Sequence, residues 1–131
     1  MTAKLRTAVY LLFAILAILA AAYVYGVGTQ WREMVARPVR ACYFLSDLTV
    51  VFPLGLAAGV GLLGGRRWAA HLFLVVIGAL VFDTAHQVYY LFFEDYFDVP
   101  LWSAALLLAI VVGYAAFAYA AAIEYLEGVH G

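Results

Sequence analysis

Apolar residues along this chain fall into four long runs, near residues 8–26, 41–63, 68–93 and 101–123, separated by short polar or glycine-rich breaks. A bilayer core of about 30 Å takes about 20 apolar residues per helix, so each run is long enough to cross it. The runs are continuous and rich in Leu, Ala and Val. Alternating short strands of a barrel would look different, and helices are the reading that satisfies the backbone in lipid. The pattern predicts an all-α integral membrane four-helix bundle, with residues 1–131 as a single domain.

The breaks between the runs set the connectivity. GGRR at residues 64–67 leaves room only for a tight turn, so the second and third helices are expected to be antiparallel neighbours. TQWREMVARPVR at residues 29–40 is the longest connection, and its Trp31 and alternating charges suit a segment lying at the headgroup level. Pro38 is expected to start the second helix, and Pro53 to kink it and free a carbonyl near mid-membrane. Gly55 and Gly59, with Gly61 and Gly65 out of register with them, put small residues at four-residue spacing on that helix. Such spacing lets a neighbouring backbone approach closely, and ordinary helix packing is its first meaning. The start of the chain has the charge and apolar stretch of a signal peptide, but the run continues through Tyr23 and Val24. It is read as the first transmembrane helix.

Composition sharpens the membrane reading. Of 131 residues, 69% are hydrophobic and 11% charged, with a mean hydropathy of +1.03, well above the range of soluble domains. The formal net charge of −1 gives no sign of a nucleic-acid partner. One cysteine, Cys42, leaves no internal disulfide; a small residue near a helix end is the first reading, a juxtamembrane palmitoylation site the second. With four spans both termini share a side that carries Lys4, Arg6, Arg66 and Arg67 against Arg32, Arg37 and Arg40 on the other. The positive-inside count therefore puts the termini in the cytoplasm by a narrow margin. Short loops favour a bacterial or archaeal inner membrane.

Candidate chemistry lies in the third run. Asp83, His86, Gln87, Tyr90 and Glu94 fall at offsets that share one helical face. A charge at mid-bilayer costs ~3 kcal/mol on insertion scales, so this face is expected to point into the bundle. Counting from Pro38 on one helix and from Glu94 on the other brings Asp47 level with His86, with Asp83 a turn deeper. Tyr43, Ser46 and Thr49 are the expected hydrogen-bonding supports. Three sparse ligands without a second histidine make a poor metal site. His71 and His86, about 22 Å apart on one helix, cannot face one haem iron, and Lys4, the only lysine, precedes the first helix and excludes a retinal Schiff base. No cofactor is implied. Polar residues gathered in one half of the bundle argue against a through-path for ions, whereas an Asp83–His86 pair that only fixes helix register is a standing alternative. The aromatics from Tyr89 to Trp102 read as an interfacial belt.

Three stretches resemble the EXPERA group of four-helix membrane proteins, which includes the emopamil-binding sterol isomerase and the sigma-two receptor. These are an acid followed six positions later by proline (Asp47 and Pro53 in SDLTVVFP), the basic turn GGRRW, and YYLFFEDY at residues 89–96. The resemblance covers about residues 40–120. It implies a cavity open toward lipid and a sterol-like or cationic amphiphilic ligand, with Asp47 matching the ligand-contacting acid of the second helix. The isomerase's catalytic histidine and glutamate have no counterpart in this first helix or the loop after it.

Double-bond isomerisation needs an acid to protonate one carbon and a base to remove a proton elsewhere. Asp47 or Asp83 would supply the acid and His86 the base. The expectation is a membrane protein holding a small apolar or amphiphilic molecule in an intramembrane pocket, with double-bond isomerisation as its candidate reaction. Its partners are the bilayer, that ligand, and copies of itself or a larger membrane complex. The second hypothesis is a structural or assembly subunit docking through its glycine and aromatic faces.

Overall fold

A computed structural model of the chain describes residues 1–36, 42, 45–93 and 101–128. Its ordered elements are helix α1 (Ala3–Ala36), a π-helical segment (Asp47–Val51) that runs into α2 (Phe52–Leu63), α3 (Trp68–Phe93) and α4 (Leu101–Gly128). Each helix packs on two others, α1 on α2 and α4, and α3 on α2 and α4, which closes a four-helix bundle. Three helices are long and apolar enough to cross a membrane, over Ala3–Tyr25, Trp68–His86 and Trp102–Gly128, and Asp47–Leu63 forms a shorter apolar helix between the first two. The all-α membrane architecture expected from the hydropathy pattern is the one found.

Helical spacing explains the core. Leu5, Ala8, Val9, Leu12 and Leu16 bury one stripe of α1; Ala69, Ala70, Phe73, Val76, Ile77 and Leu80 bury one of α3. On α4 the buried stripe is almost all alanine, with Ala115, Ala118, Ala121 and Ala122. In lipid there is no hydrophobic gain from burying Leu against Leu, so the bundle depends on contact distance, and small residues supply it. The side chain of α1 Phe13 lies over Gly59, Leu16 of the same helix over Gly55, and Ala69 of α3 over Gly61.

The turn between α2 and α3 follows from its glycines. Gly65 takes a left-handed φ of 74°, and the Arg66 N–H donates to the Gly61 carbonyl at 2.8 Å while the Gly65 N–H donates to Leu62 at 3.0 Å. This pair of bonds is the Schellman closure of a helix C-terminus. The next two bonds, Ala69 N–H to Arg66 and Ala70 N–H to Arg67, already belong to the start of α3. Two helices joined this tightly lie side by side and antiparallel.

One boundary differs from the hydropathy reading. The segment TQWREMVA, expected as a loop at the headgroups, is the last part of α1, which has 34 residues and an axial length of about 51 Å. Gln30, Arg32, Glu33, Met34 and Ala36 all favour helix. The expected start of the second helix at Pro38 lies outside the described residues. Pro53 is accommodated by widening the turn ahead of it: the Phe52 N–H donates to the carbonyl of Asp47, five residues back.

Glycine packing makes a direct prediction. A Cβ at position 61 would sit 2.6 Å from the Cβ of Ala69, an atom fixed to a helix backbone, whereas a Cβ at position 78 meets nothing within 4 Å. Gly61→Ala is expected to destabilise the bundle by ~1–3 kcal/mol, and Gly78→Ala to leave it unchanged or raise it by up to ~1 kcal/mol. Unfolding in mixed micelles of increasing dodecyl sulfate content measures both.

Candidate functional site

Among the described residues, the one buried charged or polar side chain of the core is Asp47, at 0% exposure. It stands at the first position of the π-helical segment, with Val51 buried one turn on. The contacts of Gly61 with Ala69 and of Gly55 with Val76 fix an antiparallel register between α2 and α3. Eight residues further along each helix, Asp47 comes to the height of Thr84, between Asp83 and His86. On α3 the exposed Trp68 and Tyr89 are separated by about 31 Å, one bilayer core, so Asp47 lies roughly 8 Å inside the Tyr89 end.

Helix α1 supplies the partner. The Tyr23 hydroxyl donates a hydrogen bond to Oδ2 of Asp47, and its ring meets Phe52 edge to face with centroids 6.3 Å apart. The other carboxyl oxygen, Oδ1, is buried and has no hydrogen-bond partner among the described residues. An acceptor left in that state in an apolar interior costs about 1–3 kcal/mol, more if it carries charge. Such groups in native proteins are few, and they gather where something else is to be bound.

The other expected site residues divide into three groups. Asp83 is half-buried on α3. His86 is exposed, its ring tilted over the exposed Phe82 at 5.8 Å between centroids, and the expectation that it meets Asp47 inside the bundle is corrected. The stripe was drawn from the spacing of polar residues alone, and the helix turns a different side to the core. Relative to the direction set by Phe73, Val76, Ile77 and Leu80, Asp83 is rotated by about 70° and His86 by about 130°. Ser46 and Thr49 are exposed too, and Thr49 Oγ1 donates to the Leu45 carbonyl at 2.6 Å, so neither supports Asp47 as expected. Hydroxyls on a helix satisfy themselves on the preceding turn, which is why they tolerate a lipid-facing position. Gln87 and Tyr90 belong to α3, but their side chains, with Tyr43 and Glu94 as a whole, lie outside what the structure describes.

Sequence reasoning missed Tyr23, because it sought acids and histidines on the first helix. The signal was available: a carboxyl group in hydrocarbon needs a donor at its own height, and the last tyrosines of the first run end at that height. A second tyrosine anchors the opposite half, where Tyr114 of α4 donates to the Ala8 carbonyl of α1 at 2.7 Å.

The arrangement can hold one hydrogen-bond donor. Asp47 Oδ2 accepts from Tyr23, and the buried Oδ1 has no hydrogen-bond partner among the described residues. Asp47 is buried, whereas His86 is exposed on α3 and turned away from that helix's core-facing side. Compared with known protein families, curated proteins and solved structures, the chain matches none.

The Tyr23–Asp47 bond is testable by a double-mutant cycle. Tyr23→Phe leaves a second buried oxygen without a donor and is expected to cost about 1–3 kcal/mol, while the Tyr23→Phe/Asp47→Leu double variant recovers most of that loss, because the buried polar demand is gone. Unfolding free energies of the four proteins in detergent provide the check.

Proposed function

We propose that this chain binds a small apolar or amphiphilic molecule within the membrane, and that the molecule's polar group donates a hydrogen bond to Oδ1 of Asp47. The observation that carries this reading is that oxygen: fully buried, in a carboxyl group already oriented by Tyr23, with no donor among the described residues. A bundle that needed the pair only for register would be as well served by a residue with one acceptor fewer. The ligand class agrees with the sterol-like or amphiphilic molecule that the EXPERA resemblance implies. Binding is the proposed activity; His86, the expected base of an isomerase step, is exposed on α3.

Support for the assembly-subunit alternative is weaker. It would dock through glycine and aromatic faces; Gly55, Gly59 and Gly61 are covered by Leu16, Phe13 and Ala69 of the same chain, while Tyr89 and Trp102 of the aromatic face are exposed.

Untargeted mass spectrometry of the protein purified in a mild detergent tests the proposal. A small molecule near one-to-one stoichiometry is expected. Asp47→Asn, which replaces one acceptor oxygen by an amide, should lower its retention by tenfold or more, on the order of the worth of a hydrogen bond to a charged group. His86→Gln should leave it unchanged. Equal retention in wild type and in a folded Asp47→Asn protein, or a stoichiometric polypeptide in place of a small molecule, overturns the reading.

A further inference from the structure

The end of the bundle opposite Asp47 gathers the cations. Lys4 and Arg6 open α1, Arg66 and Arg67 form the turn between α2 and α3, and Glu124 and Glu127 close α4. Neither α1 nor α3 has an acidic residue in its first turn. A helix N-terminus carries a partial positive charge and a C-terminus a partial negative one, so at this end, where α1 and α3 begin and α2 and α4 finish, the helix ends offset one another and the field is left to the side chains. Lys4 is answered from within the chain, by Glu124 at 3.6 Å. Arg6 and Arg66 are exposed and form no ion pair among the described residues.

These arginines share one depth. Phe13 of α1 lies over Gly59 of α2; beyond that contact, toward the same end, come Arg6 two turns along α1 and Arg66 in the turn that closes α2. Arg67 is the next residue in the turn. Trp68 gives the depth its physical meaning: its indole packs back against Gly61 while more than half of the residue stays exposed. A tryptophan held in that way marks the boundary between acyl chains and headgroups. The three guanidinium groups therefore stand just outside the hydrocarbon, at the level of lipid phosphates, and below them Leu56, Val60 and Leu63 expose an apolar flank of α2.

We propose that Arg6, Arg66 and Arg67 form a binding surface for the headgroup of an anionic phospholipid, whose phosphate they engage and whose acyl chain lies along Leu56, Val60 and Leu63. Guanidinium groups bind phosphate oxygens through paired N–H donors. The partner is a lipid because the site is at headgroup depth on a chain that crosses the bilayer. This surface is independent of the Asp47 site.

The test uses the full chain in nanodiscs made of equal parts phosphatidylglycerol and phosphatidylcholine, followed by detergent extraction and quantification of the lipids that stay with the protein. Wild type should retain phosphatidylglycerol in excess, and the excess should fall by about fivefold for each arginine changed to glutamine. Arg66→Lys/Arg67→Lys should keep much of the preference, as charge is preserved. Unfolding in pure phosphatidylcholine nanodiscs should be the same for wild type and the glutamine variants, which separates binding from folding. Equal retention of the two lipids by wild type, an undiminished excess in the triple glutamine variant, or full replacement of phosphatidylglycerol by inorganic phosphate in protecting the protein against unfolding would each overturn the proposal.

Discussion

A carboxyl group placed in hydrocarbon is the constraint around which this bundle is organised. Asp47 cannot face lipid without a large penalty, so the helix that carries it must turn it inward, and a neighbour must bring a donor to the same height. Tyr23 does so from α1. That bond ties the far ends of the two helices together, while Gly55 and Gly59 let Leu16 and Phe13 hold their middles in contact. The packing and the polar group thus depend on each other: helices that could not approach at the glycines could not deliver the tyrosine hydroxyl to the carboxyl.

Much of this was legible in the chain itself. Hydropathy located the helices because a bilayer imposes one length on them all, and GGRR fixed an antiparallel pair because so short a link permits little else. The limits of α1 were harder to see, since polarity marks where lipid ends and says nothing of where a helix does. Asp47 stood out as an acid within an apolar run, and it is buried. His86 looked equivalent on spacing, yet it shares its exposed side with Phe82. A stripe of polar residues gives relative angles around one helix, whereas the inward direction is set by the neighbours, here by Ala69 and Val76 meeting α2. Tyr23 was invisible for a different reason: an aromatic near the end of a span has an ordinary interfacial role, and only the register with α2 gives it another.

The two ends of the molecule solve opposite electrostatic problems. Near Asp47 the difficulty is one acceptor in a medium of low dielectric, where a single donor carries much weight. At the turn of Arg66 and Arg67 the groups are solvated, and each interaction is weak, so any selectivity must come from several charges acting together. The Lys4–Glu124 pair illustrates the second regime, being exposed on both sides and of small worth to stability.

The widened turn ahead of Pro53 has one more consequence. Because the Phe52 N–H reaches back five residues instead of four, the segment holds one residue more than a regular helix of the same rise. In evolutionary terms it is equivalent to an insertion, and deleting a single residue between Leu48 and Val51 would restore regular winding with both flanks still helical. Both flanks would then keep their facing, because the wide turn has already absorbed the extra residue, and the acid would still be directed at the interior.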